Sequence, residues 1–195
     1  MKLILASSSK QRQDIFNMLG LKYEVIKSLV EESSCNTNPV EYVKELSKNK
    51  ANSVANQIKE KAIIIAADSI IYMDGKIYEK PKSKQEAFKN IKEMSGKLTY
   101  AITGIAIKDL YQNKEISFSD TTEVYLKEIL DEDIKWYVEN EKDILNRCGY
   151  VIQGKASIFL DKVNGDYNTL FGISPSKVYD KLKSLGYKIS DFELQ

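Results

Sequence analysis

Residues 62–73, AIIIAADSIIYM, decide the fold. The run from Ala62 to Ala67 is continuously apolar, and its three consecutive isoleucines are β-branched. A continuous apolar run of this length is typical of a strand buried on both faces of a sheet. The run therefore predicts a central strand that ends at Asp68, with Ser69 to Met73 continuing as a further stretch of strand.

The segments on either side of this strand alternate between strand and helix patterns. The predicted elements are strands at 2–6, 23–26, 62–73, 76–78, 99–107, 116–126 and 156–163, and helices after caps at Ser8, Asn38, Ser83 and Ser174 and over 131–138. Neither repeats nor a linker interrupts this order. It predicts an α/β fold, a mixed twisted sheet with flanking helices, in a single domain over residues 1–195.

The composition excludes several classes of protein. The 29 basic and 28 acidic residues nearly cancel, so no broad field is available for binding nucleic acid or an anionic membrane. No stretch reaches the roughly 18 to 20 apolar residues of a membrane span, and the apolar start at Met1 to Ala6 reads as a strand, not a signal peptide. Two cysteines are too few for a disulfide framework, which favours a cytoplasmic location.

Histidine is absent from the chain, and this absence limits the chemistry further. It removes catalytic triads that pair serine or cysteine with histidine, together with histidine-ligated zinc. Carboxylates, lysines, hydroxyl groups and a metal ion held by oxygen ligands remain to carry any reaction. Candidate site residues are therefore acidic or basic side chains in unusual positions.

Three charged residues stand in such positions. Asp68 follows the buried strand, where open α/β sheets place ligands; it can be a metal ligand or general base, or make only a turn hydrogen bond. Lys50 falls on or next to the apolar stripe of the second helix, which requires either a nearby anion or a side chain that reaches out to solvent. Arg12 lies in a first helical turn, where the dipole disfavours a cation unless a phosphate binds.

Lys80 and the pair Glu31-Glu32 are weaker candidates. Pro81 restricts the backbone next to Lys80 and so gives its side chain a defined direction. Glu31 and Glu32 lie in a polar connection. Taken individually, all three residues are explained more simply as solvated side chains.

Short sequence motifs occur along nearly the whole chain. They are LASSS at 5–9 with Arg12, VEE at 30–32, KA at 50–51, ADSII at 67–71 with Gly75, KP at 80–81, SGK at 95–97, TG at 103–104, GY to QG at 149–154, and GDYN at 165–168 with Gly172. In residues and order they resemble the Maf family of nucleotide pyrophosphatases. The resemblance implies a Maf / inosine triphosphate pyrophosphatase-like fold with two lobes around a deep cleft, and a homodimer. It also implies cleavage of a nucleoside triphosphate between the α- and β-phosphates with Mg²⁺ or Mn²⁺.

The resemblance implies roles for individual residues as well. Asp68 matches the catalytic acid/base residue, and Glu32 matches an acidic residue that completes the metal sphere with Asp68. Arg12, Lys50 and Lys80 match cations that bind phosphate. The remaining substrate-binding positions are Ser7, Ser9, Gln11, Ser69 and Gln153, of which Ser69 and Gln153 correspond to positions that discriminate the base.

The residue after the catalytic aspartate indicates the substrate. Family members with a hydroxyl residue there resemble the branch that acts on dTTP, UTP and related or modified pyrimidine nucleotides, whereas a glutamine would suggest methylated guanine nucleotides. Ser69 therefore favours a pyrimidine. Two stretches depart from the family pattern: Ser9-Lys10-Gln11-Arg12 replaces the usual Ser-Pro-Arg-Arg, and Asn146-Arg147-Cys148-Gly149 replaces Lys-Ala-Gly-Gly. Arg147 could contact phosphate or be merely exposed.

Two other functions stay open. A sugar nucleotidyltransferase also combines a strand, a polar loop and an arginine with a later strand-end aspartate, although its phosphate loop is usually rich in glycine and residues 7–12 contain none. A non-catalytic nucleotide sensor or division-regulating partner would keep the pocket and lose turnover. Gln11 in the altered turn makes this second alternative conceivable.

Overall fold

The computed structural model describes residues 1–30, 33–150, 152 and 154–192. The strands are β1 (Leu3–Leu5), β2 (Glu24–Val25), β3 (Ile63–Met73), β4 (Lys76–Tyr78), β5 (Leu98–Asp109), β6 (Lys114–Leu126) and β7 (Leu160–Asn164). The helices are α1 (Lys10–Met18), α2 (Pro39–Ala55), α3 (Lys84–Met94), α4 (Asp131–Asn140) and α5 (Pro175–Ser184). Within the described ranges the strands form one mixed sheet in the order β2-β1-β3-β5-β6-β7, with β4 paired to β3. The predicted α/β class with a mixed sheet and flanking helices is confirmed.

The chain divides into two compact units. Unit 1 consists of Met1–Asp68, Thr103–Asp120 and Phe171–Gln195, and unit 2 of Ser69–Ile102 and Thr121–Leu170. The single domain over 1–195 and the deep cleft between two lobes stay predictions. In the described part of the chain, none of the helices combines the length and the apolar character that a bilayer crossing requires.

In unit 1, side-chain alternation along β1 and β3 divides the apolar residues between the two faces of the sheet. Odd-numbered residues such as Leu5 and Ile65 pack with α1 and α5. Even-numbered residues such as Ile64 and Ala66 pack with α2. Since successive side chains of a strand point to opposite faces, a strand covered by helices on both sides must be apolar throughout. Each fully buried isoleucine contributes roughly 1.5 to 3 kcal/mol, so this sandwich is the main stabilising feature of unit 1.

Unit 2 is built from a hairpin and a pair of helices. Asp74 and Gly75 join β3 to β4 with φ angles of 50° and 80°, and Met73 lies opposite Lys76 across the turn. Two successive residues with positive φ are typical of a tight hairpin turn, so the predicted hairpin is confirmed. Helices α3 and α4 pack together around a separate apolar cluster that includes Ile91 and Tyr137.

One predicted boundary was wrong. The strand predicted over 62–73 is confirmed as β3, whose second half continues past Asp68 because it pairs with β4. Residues 156–159, predicted as the first part of a strand over 156–163, belong to a 3₁₀ turn at Lys155–Phe159, and β7 begins only at Leu160. Ala156 and Phe159 both pack into the α3–α4 cluster, and their spacing of three residues suits a 3₁₀ turn rather than a strand.

Gly104 of β5 allows the backbone of α2 to approach the sheet closely. A Cβ atom added at this position would lie 2.2 Å from the carbonyl oxygen of Val43 and 2.6 Å from the amide nitrogen of Lys44. Contacts this short do not occur between real atoms, so any side chain here would displace the helix. The position of α2 also sets the position of Lys50, which the same helix carries.

We expect Gly104→Ala to lower the free energy of unfolding by about 2 to 3 kcal/mol, because α2 must shift to accommodate the methyl group. Gly20→Ala is the matched control. Gly20 has φ +67°, but an added Cβ would meet nothing within 4 Å, so backbone strain alone should cost about 1 kcal/mol. Urea denaturation followed by circular dichroism measures both values. Equal losses in the two variants would contradict a close approach of α2.

Candidate functional site

Helix α1 begins with an N-terminus that its own N-cap residue does not cap. That residue is Ser9, whose side chain makes no capping hydrogen bond, and no acidic residue lies in the first turn. The predicted capping box at Ser8 is therefore wrong, since the helix begins one residue later than a Ser8 cap requires. Gln11 is half-buried in the first turn, whereas Lys10 is exposed. The amide groups and the dipole of this helix end favour an anion.

Arg12 is buried beside this helix end, with 8% of its surface exposed. Its Nε donates to the carbonyl oxygen of Gly172 at 2.8 Å, and its Nη1 donates to Oγ of Ser7 at 3.1 Å. The same Oγ accepts a hydrogen bond from the amide of Ser9 at 3.2 Å. Two donors thus point at the Ser7 oxygen, whose hydroxyl hydrogen is directed elsewhere. The guanidinium is held in one orientation at a helix end whose dipole favours an anion.

Lys50 and Asp68, two further predicted residues, are in direct contact. Lys50 Nζ of α2 and Asp68 Oδ1 of β3 form a buried ion pair, and the two residues are only 7% and 8% exposed. Burying either charge alone would be costly, whereas the pair compensates much of that cost. Asp68 is therefore an anionic partner for the lysine on the apolar stripe of α2.

The parallel pairing of β1 with β3 brings both contacts to one edge of the sheet in unit 1. Leu5, the last residue of β1, lies opposite Ile65. Ser7 therefore follows the end of β1, and Asp68 lies three residues beyond the level of Leu5 on β3. Neighbouring strands such as β1 and β3 are about 4.8 Å apart. The site forms where β1 stops and β3 continues, rather than at the end of β3.

The contact of Arg12 with Gly172 was missed by sequence reasoning. Gly172 was noted only as the last member of a motif, and it lies 160 positions from Arg12 along the chain. Its φ of 84° is in the left-handed region that glycine tolerates. The identity of a residue does not show whether its backbone carbonyl accepts a hydrogen bond. The glycine at position 172 could therefore have indicated only the positive φ.

Three other residues of interest belong to unit 2. Ser69 is half-buried within β3, and its backbone carbonyl accepts a hydrogen bond from the thiol of Cys148 at 3.2 Å. Lys80 is exposed in the segment after β4 and precedes the buried Pro81. No local pattern predicted the Cys148 contact, because its two partners lie 79 positions apart.

The stretch 146–149, which departs from the family pattern, is followed by a buried phenol. Burial raises the pKa of Tyr150, whose hydroxyl lies 2.6 Å from that of Thr99. The phenol therefore stays neutral and fixes this segment to β5. Arg147 is half-buried, which differs from the fully exposed side chain that was one of its two possibilities.

Glu32 and Gln153 lie outside the described residues, so their assignments stay predictions. Within the described ranges, no group of three or more His, Cys, Asp or Glu side chains could hold a metal ion. Asp68, a described residue at this sheet edge, provides a carboxylate oxygen, which is a hard donor. This donor fits a hard cation such as Mg²⁺, which one or two carboxylates bind together with substrate phosphates.

Solved structures similar to this chain include the Ham1 protein of Staphylococcus aureus, with a TM-score of 0.46 and 14% identity over 65% of this chain and 72% of that one. Another is a nucleoside-triphosphatase / dITP/XTP pyrophosphatase of Mycobacterium abscessus, with a TM-score of 0.44 and 11% identity over 95% of this chain and 97% of that one.

Relatives of similar length carry the name dTTP/UTP pyrophosphatase. The protein of Thermoanaerobacter sp. (strain X514) is 40% identical over 94% of this chain and 96% of its own length. That of Carboxydothermus hydrogenoformans is 35% identical over 96% of this chain and 100% of its own length. The family model described as Maf-like protein matches residues 2–185. Because this match and these relatives extend over almost the whole sequence, the chain belongs to the Maf-like protein family.

Proposed function

We propose that this protein hydrolyses pyrimidine nucleoside triphosphates, dTTP and UTP, to the nucleoside monophosphate and pyrophosphate. The observation that carries the proposal is the buried Lys50–Asp68 pair, at the same sheet edge as Arg12 and the N-terminus of α1. In a chain without histidine, a carboxylate is the natural general base. Relatives named dTTP/UTP pyrophosphatase, at 35% to 40% identity, support the same activity.

Asp68 is the proposed catalytic residue. Its carboxylate orients a water molecule and accepts its proton as the water oxygen attacks the α-phosphorus. The bond from this phosphorus to the oxygen that bridges it to the β-phosphorus breaks, and pyrophosphate leaves with that oxygen. Arg12, Lys50 and Lys80 are proposed to neutralise phosphate charge during this step. The prior hydrogen bonds of Arg12 reduce the entropy lost when it binds phosphate.

A divalent cation, Mg²⁺ or Mn²⁺, is proposed to bind with the nucleotide. Asp68 would supply one ligand and Glu32 a second, with the substrate phosphates completing the coordination. The cation would supply charge neutralisation on the triphosphate. The described residues contribute by holding one buried carboxylate where a hard cation and a polyphosphate can share it.

Ser69, Gln11 and Gln153 are proposed to select the base. A hydroxyl group after the catalytic aspartate favours dTTP and UTP, and Gln11 takes a position at which the family usually carries arginine. We further propose that the protein is a homodimer and acts in the cytoplasm. Analytical ultracentrifugation of the purified protein tests the oligomeric state.

A panel of nucleoside triphosphates, assayed for pyrophosphate release with Mg²⁺ or Mn²⁺, tests the proposed function. We expect kcat/KM to be at least roughly tenfold higher for dTTP and UTP than for dATP and dGTP, which requires a difference of about 1.4 kcal/mol in transition-state binding. Pyrophosphate release that occurs only with an added sugar phosphate would indicate a nucleotidyltransferase. Tight nucleotide binding without release would indicate a sensor.

We expect Asp68→Asn to reduce kcat by roughly 10²- to 10⁴-fold, because the amide cannot accept the proton of the attacking water. Nucleotide binding should persist, which equilibrium dialysis with labelled dTTP can measure. Asp109→Asn is the matched control: Asp109 is fully buried in the same unit, and its neighbour Leu110 bonds to Ala62 at the opposite end of β3. Near-normal turnover in Asp68→Asn would reject its assignment as the base.

We expect Ser7→Ala to raise KM for dTTP more than it lowers kcat, because the loss of its hydroxyl frees the guanidinium of Arg12 to reorient. The effect should largely disappear when Arg12 is already replaced by alanine, since coupled residues are not additive in a double-mutant cycle. Ser8→Ala is the control, because the side chain of Ser8 is exposed. Full additivity of Ser7→Ala and Arg12→Ala would argue against positioning of Arg12 by Ser7.

A further inference from the structure

The part of β3 around Ser69 lies between two partial strand pairings. β1 pairs with β3 as far as Leu5, opposite Ile65, and the pairing of β4 with β3 covers Ile71 to Met73. Ser69 therefore lies beyond the end of β1 and before the start of the pairing with β4. Backbone segments that fewer strand hydrogen bonds hold open more readily. Neither β1 nor β4 fixes the backbone at Ser69.

The carbonyl of Ser69 points to the side of β3 on which β1 has ended. The carbonyl oxygen of Ile65 accepts a hydrogen bond from the amide of Ala6, which directly follows β1. Backbone groups of alternate residues in a strand point to the same side, so the carbonyl of Ser69 shares the direction of that of Ile65. The thiol of Cys148 donates to the Ser69 carbonyl at 3.2 Å. Cys148 thus contacts β3 at the level that β1 does not reach.

The segment around Cys148 is fixed by its own neighbours in unit 2. Gly149 passes close to β3, where an added Cβ atom would lie 3.5 Å from Cγ1 of Ile71. The hydroxyl of Tyr150 lies 2.6 Å from that of Thr99 in β5. A donor on a segment that is held in this way loses less conformational entropy when it forms its hydrogen bond.

We propose that Cys148 is a positioning residue, whose thiol fixes the backbone at Ser69 and thereby orients this serine for the pyrimidine base. The inference rests on the proposed function, in which Ser69 selects the base. Rotation about ψ of Ser69 would move its carbonyl away from the thiol, so the hydrogen bond restricts this angle. The preferred rotamers of a side chain depend on its backbone angles, and a serine lacks the β-branch that would restrict χ1 further.

The contact is particular to this chain, because the glycine of the family pattern at position 148 has no side chain that could donate. Asp68 has a contact of its own, the ion pair with Lys50. Loss of the thiol should therefore loosen Ser69 and leave the catalytic carboxylate paired. A group that contacts substrate and transition state equally raises KM when it is lost and leaves kcat little changed. The proposal thus predicts a defect in KM.

Cys148→Ala and Cys148→Ser are the matched pair of variants that tests the proposal. Alanine and serine are similar in size, and only the serine hydroxyl can donate to the carbonyl of Ser69. We expect Cys148→Ala to raise KM for dTTP and Kd for dTMP by roughly two- to fivefold, the effect of one weak hydrogen bond. The kcat should stay within about twofold of the wild type. Cys148→Ser should restore most of the affinity, as equilibrium dialysis with labelled dTMP can measure.

Further measurements separate positioning from packing. Inorganic tripolyphosphate offers the phosphates without a base, so its inhibition constant should be the same in Cys148→Ala and in the wild type. When Ser69 is already replaced by alanine, Cys148→Ala should add little, since coupled residues are not additive in a double-mutant cycle. Cys35→Ala is the control, because Cys35 is an exposed free cysteine, and it should bind dTMP like the wild type.

An unchanged KM in Cys148→Ala, or an equal defect in the alanine and serine variants, would overturn the proposal. So would tripolyphosphate binding that weakens as much as dTMP binding. Pyrophosphate release from dTTP by the wild type is measured in parallel. An inactive wild type with the expected pattern of dTMP binding would refute the proposed hydrolysis alone, whereas an active wild type without that pattern would refute the role of Cys148 alone. A wild type that neither binds dTMP nor hydrolyses dTTP would overturn both.

Discussion

The burial of one lysine against one aspartate is the constraint on which the site in unit 1 depends. Lys50 and Asp68 form an ion pair that is buried between α2 and β3, and removing one partner would leave the other charge poorly compensated, so α2 and β3 must meet at this point. Gly104 permits the meeting, because the backbone of α2 passes where any side chain would stand. The same glycine that tightens the packing therefore brings the cation to the carboxylate.

Strand alternation then divides the polar residues between two faces of one sheet. Asp68 follows the even-numbered residues of β3 toward α2, while Arg12 approaches from α1, which packs on the other face. Both contacts lie at the edge of the sheet where β1 ends at Leu5 while β3 continues. Where one strand ends beside a longer neighbour, side chains from the helices on both faces of the sheet can reach the space beyond the shorter strand.

Two stretches of this chain depart from the sequence pattern of the Maf-like family to which it belongs. In the first, Lys10 is exposed and Arg12 is buried and held by two acceptors, so the arginine that remains is the one with a defined geometry. A lysine cannot reproduce the planar fork of a second arginine. In the second, Cys148 replaces a glycine and donates to the carbonyl of Ser69, the residue that follows Asp68.

The sequence by itself determined the α/β class, the positions of most helices and strands, and the charged residues that are candidates for the site. These features depend on local periodicity, caps and turns. It predicted the β3–β4 hairpin and the cap at Asn38, whose side chain accepts from two amides of the first turn of α2. It also indicated that Lys50, a lysine on the apolar stripe of α2, requires either a nearby anion or a side chain that reaches solvent. Only the tertiary structure decided that Asp68 pairs with this lysine and that Gly172 orients Arg12. These are contacts between residues 18 and 160 positions apart, and chain folding rather than local pattern brings such residues together.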